Sequence, residues 1–300
     1  MMSSIKIQNL KKQYPNQVQA LKGIDLEIQK GDFHALLGSN GAGKTTTIGI
    51  LTDLVKKTSG KVEIAGIDIE KNFNQAKKLI GVVPQEMNFN IFEKVEDIVV
   101  QQAGFYGLSK DKAIEKTHEI LKSLSLFDKK DQISKTLSGG MKRRLMIARS
   151  LVHDPQILIL DEPTVGVDVK LRYDTYDFLS KLNKKGVTIL LTTHYLEEAE
   201  LLCNKISIIK EGEIIISGEK EKVLHDLSTQ IYLFESKNFK TQSLKNYKLS
   251  KTENKNEFQV QINKNQSLNQ FLKESLEENF IFESIKPKTN RLEQLYLELT

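Results

Sequence analysis

The period of apolar and polar positions changes along the chain, and each change marks an element. Residues 5–7 and 20–28 alternate, with Ile5 and Ile7, then Ile24, Leu26 and Ile28, on one face, the signature of half-buried strands. A bend at Tyr14-Pro15-Asn16 separates the two, and Lys30-Gly31-Asp32 turns into the continuous apolar run Phe33–Leu37. Residues 46–55 place Ile48, Leu51, Leu54 and Val55 at helical spacing, and the pattern stops at Thr58-Ser59-Gly60. An antiparallel pair is predicted at 61–65 and 67–69, then a short helical stretch and a strand over 78–84.

Over 88–150 the helical period dominates, with helices predicted at 95–105, 110–124 and 141–152 and no heptad pattern long enough for a coiled coil. Strands resume at 157–160, 187–193 and 205–210, helical patterns at 171–182 and 196–202 separate them, and Glu211-Gly212 turns into a hairpin strand over 213–217. Strands alternating with helices predict an α/β fold: a mainly parallel sheet covered on both faces, an antiparallel β subdomain near the start, and a helical insertion over about 88–150. From about 227 the texture turns to Lys, Asn, Gln and Ser. Strands are predicted at 231–234, 258–262 and 280–285, helices at 267–279 and 291–299, and a mobile polar loop at 246–256. The expected division is therefore 1–226 and a small α+β domain, 227–300, whose role, dimer contact or regulation, is left open.

Composition narrows the class without choosing within it. Apolar residues make up 39% and charged ones 28% of 300 residues, a soluble globular balance, and no apolar run approaches membrane-helix length. The opening Met1-Met2-Ser3-Ser4-Ile5-Lys6 has no charged-then-apolar export pattern, so residence in the cytosol is expected. A net charge of +5 is spread along the chain; after residue 227 eleven Lys/Arg face nine Asp/Glu, and no basic footprint for nucleic acid is present. The single Cys203, beside Leu201 and Leu202 in a helical pattern, is expected to be a buried small hydrophobe.

The chemistry begins at Gly38-Ser39-Asn40-Gly41-Ala42-Gly43-Lys44-Thr45-Thr46, which fits the phosphate-binding pattern GxxxxGK[ST] at every fixed position between a predicted strand and a predicted helix. Glycines let backbone N–H groups converge on phosphate oxygens at the positive end of a helix. Lys44 can reach the β- and γ-phosphates, and the Thr45 hydroxyl can complete the shell of a Mg²⁺. Downstream, the apolar run 157–160 ends in Asp161-Glu162. Alternation along a strand sends these carboxylates to opposite faces, so they are assigned different tasks: Asp161 to Mg²⁺ and Glu162 as the general base for an attacking water. Leu137-Ser138-Gly139-Gly140 opens another helix with a serine and two glycines, a pattern that serves as readily for an ordinary cap as for a second anion cradle.

In order and spacing these motifs, together with Thr192-Thr193-His194-Tyr195-Leu196-Glu197-Glu198-Ala199-Glu200, resemble an ATP-binding cassette, the ATPase of ABC transporters, over residues 5 to about 220. The branch resembled is that of multidrug, polysaccharide or lipid exporters whose membrane permease is a separate chain. The resemblance implies that Tyr14 stacks on adenine, and that Gln85 touches Mg²⁺ or the water and reports to the permease. It implies that Asp168 lies in a loop crossing to the partner subunit, that His194 contacts the γ-phosphate, and that Ser138, Gly139 and Gly140 close over ATP held by another copy. The expectation is an ATP-hydrolysing homodimer on the cytoplasmic face of the membrane, using ATP and Mg²⁺ to power export. The alternative is a cassette ATPase acting on nucleic acid or the ribosome; those usually carry two cassettes or a long coiled coil, and neither is seen. Met141 and Val165 depart from the family's commoner residues. His34, His118, His153 and His225 lack the context of His194 and are expected to be structural or solvent-facing.

Overall fold

The computed structural model describes residues 3–296 except 165–166, 226–228, 237–243, 245, 255, 264, 289–291 and 294; the side chains of His225 and Thr229 also lie outside the description. The chain divides into two compact units, Met1–Glu219 and Lys220–Thr300.

The first unit runs β1 (Ser3–Gln13), β2 (Gln19–Gln29), β3 (Phe33–Leu37), α1 (Lys44–Leu51), β4 (Ser59–Ile64), β5 (Ile67–Asp68), α2 (Ile69–Ala76) and β6 (Ile80–Val83). It continues with α3 (Val95–Phe105), α4 (Lys110–Ser123), α5 (Gly139–Leu151), β7 (Ile157–Asp161), α6 (Val169–Lys184), β8 (Thr188–Thr193), α7 (Leu196–Leu202), β9 (Lys205–Lys210) and β10 (Glu213–Glu219). Six strands form one sheet in the order β10-β9-β3-β8-β7-β6, parallel except for the β9–β10 hairpin. Every residue of β3, β7 and β8 is buried, which is why their apolar residues stand side by side rather than alternating with exposed polar ones. A second, antiparallel sheet has the order β2-β1-β4-β5, and its inward Ile5, Ile7, Leu26, Ile28, Val62 and Ile64 share a core with Ile48 and Ile50 of α1 and Ile159 of β7. The insertion is helical: α3, α4 and α5 pack together on Val95, Ile98, Val99, Ala103, Leu121 and Leu145.

Helix α1 begins and ends earlier than its periodicity predicts. Gly43, at φ +116°, caps it one residue ahead of Lys44, and Asp53 at φ +59° turns the chain away, leaving Leu54 exposed. His34 is buried in β3 with its Nε2 on the Ser207 hydroxyl; burial, with help from Lys205, lowers its pKa to about 3 and keeps it neutral. His153 stacks on Tyr106, His118 pairs with Glu96, and Cys203 is buried.

The second unit contains α8 (Lys220–His225), β11 (Thr229–Glu235), β12 (Lys248–Lys251), β13 (Glu257–Asn263), α9 (Leu268–Glu277) and β14 (Ser284–Pro287). Its antiparallel sheet, β12-β13-β11-β14, packs Phe234, Phe258, Val260 and Ile262 against Phe271 of α9. Two expectations are corrected. The polar stretch at 246–256 contains a strand, because Tyr247 anchors on Phe271 and Leu249 pairs with Val260. The last strand starts at Ser284, not Phe280, because the Phe280 N–H donates to Ser275 O and finishes the turn leaving α9. Within 291–299, Leu292, Glu293, Leu295 and Tyr296 are helical; the rest lies outside the described residues.

Candidate active site

The parallel register gathers the motifs at one edge. It pairs Leu37 with Thr193, Thr192 with Asp161, and Leu160 with Val83. The residues that follow these four neighbouring strands, Gly38, His194, Glu162 and Pro84-Gln85, therefore emerge together at the carboxyl edge, where open α/β sheets bind ligands.

The loop after β3 is shaped by close backbone approach. A side chain at Gly38 would come within 2.5 Å of the Ile209 carbonyl, and one at Gly43 within 2.9 Å of Ala20 O and 2.8 Å of Leu21 Cδ2. The Gly212 N–H donates to Ala42 O at 2.9 Å, and Gly212 O accepts from the Lys22 N–H at 2.9 Å, so β2 and the β9–β10 turn hold the loop from below. Lys44 curls into this cradle, its Nζ donating to Gly38 O at 2.7 Å and Ser39 O at 3.1 Å. Burial pushes its pKa down, against the nearby Glu162 and Asp161 charges. Ser39, Asn40, Gly41 and Thr45 are open to solvent. Tyr14 lies beside the loop, its hydroxyl 3.3 Å from Thr46 Oγ1.

Strand β7 ends at Asp161, and this refines the argument from alternation. Glu162 is outside the strand at φ +48°, a left-handed conformation that costs a non-glycine residue about 1–2 kcal/mol. Its N–H donates to Thr192 O at 3.0 Å, and its carboxylate sits between two polar side chains: Gln85 Nε2 donates to Oε2 at 3.2 Å, and His194 Nδ1 is 3.2 Å from Oε1. Asp161 is turned inward and accepts from the Thr192 hydroxyl at 2.5 Å. Burial raises its pKa, the Thr192 hydrogen bond opposes this, and Lys44 and Arg143 add positive charge nearby. The two acids thus occupy different environments, which a backbone turn creates rather than the pleat.

Ser138 and Asp168 are brought to helix starts. Ser138 Oγ accepts from the Met141 N–H at 3.3 Å and Asp168 Oδ1 from the Leu171 N–H at 3.1 Å. Gly140 allows close packing of the two helix starts, since a side chain there would meet Leu171 Cδ1 at 2.6 Å, whereas Gly139 faces open space. Among the described residues, neither cap is hydrogen-bonded to the loop at Gly38–Thr46. Met141 contributes its backbone, so its unusual side chain leaves the cap intact; Val165 lies outside the described residues.

Three residues not singled out from sequence complete the surroundings. Arg143 is buried and donates to Pro84 O at 2.7 Å and Glu162 O at 2.9 Å. Thr192 holds Asp161 as described. Glu198, 0% exposed on α7, accepts from the Thr164 hydroxyl at 3.1 Å. Burial pushes its carboxyl up to about 7, with Thr193 and Thr164 hydrogen bonds, Arg172 and His194 working against that. The only sequence signal for Glu198 is its position four residues after His194, which places both near the same helix start.

Comparison with known proteins agrees with this geometry. The family model for ABC transporters matches residues 21–165. The linearmycin resistance ATP-binding protein LnrL of Bacillus subtilis is 39% identical over 216 residues, 72% of this chain and 69% of that protein. The Nod factor export ATP-binding protein I of Cupriavidus metallidurans is 39% identical over 224 residues, 75% of this chain and 74% of that one. Among solved structures, CbiO1 of Clostridium perfringens, part of the ABC transporter complex CbiONQ, superposes with a TM-score of 0.69 at 31% identity, covering 75% of this chain and 92% of that one. The ATP-binding cassette MJ0796, solved as a dimer in a post-hydrolysis state with ADP and Pi, gives a TM-score of 0.66 at 29% identity over 72% of this chain and 98% of that one. None of these names points to nucleic acid or the ribosome. The glycine-rich loop, the acids at the carboxyl edge and these relatives together place the chain in the ABC transporter family, as an ATP-binding subunit that hydrolyses ATP.

Proposed function

We propose that two copies of this chain close on ATP and that its hydrolysis drives export through a separate membrane permease. The observation that carries this reading is the Gln85–Glu162–His194 cluster, standing at the same sheet edge as the Lys44 loop. On this reading Lys44 leaves the Gly38 and Ser39 carbonyls for the β- and γ-phosphate oxygens, and loop N–H groups cradle the same anion. Tyr14 stacks on the adenine. Glu162 takes a proton from a water aimed in line at the γ-phosphorus while Gln85 and His194 hold the water and the γ-phosphate; the bond to the β-phosphate oxygen breaks, leaving ADP and phosphate. Ser138, Gly139 and Gly140 of the second copy cover the phosphates, and Asp168 lies at the crossing between copies. That each cap bonds its own helix start, and among the described residues not its own chain's loop, is compatible with such a division of labour.

The donors available fit Mg²⁺. Among the described residues no group of three His, Cys, Asp or Glu side chains could hold a metal ion, so an all-protein cage is absent. Mg²⁺ is instead commonly held by one or two carboxylates, a hydroxyl and substrate phosphates, which Asp161, Thr45 and Gln85 can supply here. Burial raises the Asp161 pKa even with Lys44 and Arg143 nearby, so a further cation beside it would be favoured. When bound, the ion neutralises phosphate charge.

Among the described residues no helix is long and apolar enough to cross a membrane. We place the chain on the cytoplasmic face of the membrane, where its permease would bind near Gln85 and the start of the helical insertion. Met87, Phe92 and Phe105 in that region expose 46%, 66% and 85% of their surface, apolar area that a membrane partner would cover. Export is supported by the names of the Nod factor export and linearmycin resistance relatives, and on this reading the cargo is chosen by the permease. Glu162→Gln tests the site: ATP turnover falls about 100-fold or more while ATP still binds, and an ATP-bound dimer accumulates on size exclusion. Turnover equal to the parent removes the general-base assignment.

A further inference from the structure

Arg143 joins the two backbones that carry the Gln85–Glu162 hydrogen bond. One of its amino groups donates to the carbonyl of Pro84, immediately before Gln85, and the other to the carbonyl of Glu162 itself. A single planar fork therefore spans both ends of the Gln85 to Glu162 contact. Glu162 needs such a hold, since at φ +48° its backbone is in a conformation that only its surroundings can maintain. Its N–H is fixed by Thr192 O, and its C=O by Arg143. Arg143 is 5% exposed and its guanidinium lies among the charges of Asp161, Glu198 and Glu162, which offset the cost of burying it. The same helix, α5, supplies Arg149, whose guanidinium donates to Asn88 O at 2.9 Å and to Gln102 Oε1 at 2.9 Å. The segment 84–88 is thereby fastened at both ends to the helix that Ser138 caps.

We propose that Arg143 is a positioning residue for hydrolysis: its two backbone hydrogen bonds set where the Glu162 carboxylate stands between Gln85 and His194. This rests on the reading of Glu162 as general base. Lysine keeps the charge but offers no rigid fork to span two carbonyls, and methionine keeps bulk without donors.

The test uses the full chain and Arg143→Lys, Arg143→Met and Glu162→Gln, alone and combined. ATP binding is titrated by calorimetry without divalent metal, hydrolysis is followed at steady state with Mg²⁺, and the ATP-dependent dimer is measured by size exclusion. For Arg143→Lys we expect kcat to fall about 30- to 100-fold, the scale for a misplaced catalytic group, with KM and ATP affinity within about threefold of the parent. The ATP-bound dimer should persist longer than in the parent, and adding Arg143→Lys to Glu162→Gln should cause no further loss. A role in packing alone would lower ATP affinity, dimer formation and kcat together, and that outcome overturns the proposal. If Arg143→Met fails to fold, Arg143→Lys decides; kcat within twofold of the parent in Arg143→Lys also overturns it. Should Glu162→Gln turn over like the parent, the base assignment falls instead; a silent Glu162→Gln beside a fully active Arg143→Lys rejects positioning alone.

Discussion

Glu198 offers the sharpest test of how the buried surroundings of the site respond to pH. Its carboxyl is 0% exposed, bonded to Thr164, and raised to about 7 mainly by burial. In the unfolded chain a glutamate titrates near 4.3. The folded state therefore holds the proton more tightly, and folding is favoured while both states are protonated. As pH climbs between the two values the unfolded chain ionises first and stability falls; above about 7 both are ionised and the full penalty stands. Over the whole span from below 4.3 to above 7 the difference corresponds to about 4 kcal/mol. Glu198→Gln keeps the acceptor for the Thr164 hydroxyl and removes the ionisation. The chain has no tryptophan, so urea unfolding is followed by far-UV circular dichroism from about pH 5 to pH 8. The variant's stability relative to the parent should rise by about 2–3 kcal/mol across that range, with most of the rise between about pH 5 and 7, the remainder of the difference having developed below pH 5. Differences that stay flat with pH would refute the argument that burial controls this carboxyl.

Two further outcomes follow from the loop. Gly43→Ala combines a left-handed backbone with a collision against Ala20 O and Leu21, and should cost about 2–5 kcal/mol of unfolding free energy together with measurable ATP binding; Gly41→Ala, at φ +82° with nothing within 4 Å, carries only the backbone strain and should cost about 1–2 kcal/mol. Tyr14→Phe should leave ATP affinity within about twofold because the ring remains, whereas Tyr14→Ala should weaken it about fivefold, near 1 kcal/mol of stacking, as read by calorimetry.

The architecture of the first unit was legible wherever period and punctuation agreed. The runs at Phe33–Leu37 and 157–160 could only be buried strands once helices were seen between them, and the parallel register then brings the loops they feed to one edge. Hydrogen bonds that cross between motifs were not legible. Arg143 looks like one of three basic residues on a helix surface, yet it is buried and bonded to carbonyls far away in sequence. Glu198 is one of three acids in a short helical pattern that does not say which is buried, and only packing shows it enclosed. Nor does sequence reveal a left-handed turn at a glutamate, since the residue type argues against it. In the second unit the polar composition of 246–256 hid a strand that Tyr247 secures against Phe271.

The glycine in the turn between β9 and β10 has no chemistry of its own, yet the cradle leans on it. Gly212 has φ +81°, any side chain there would press within 2.8 Å of Ala20 O, and its peptide group bridges Ala42 to Lys22. The loop proposed to grip a triphosphate is thus partly held by a hairpin late in the sequence of the unit. Damage at this position, distant in sequence but bonded to the loop, would surface first as poor nucleotide retention in an otherwise intact fold, so a survey of inactivating changes confined to the recognised motifs would overlook one of the supports they stand on.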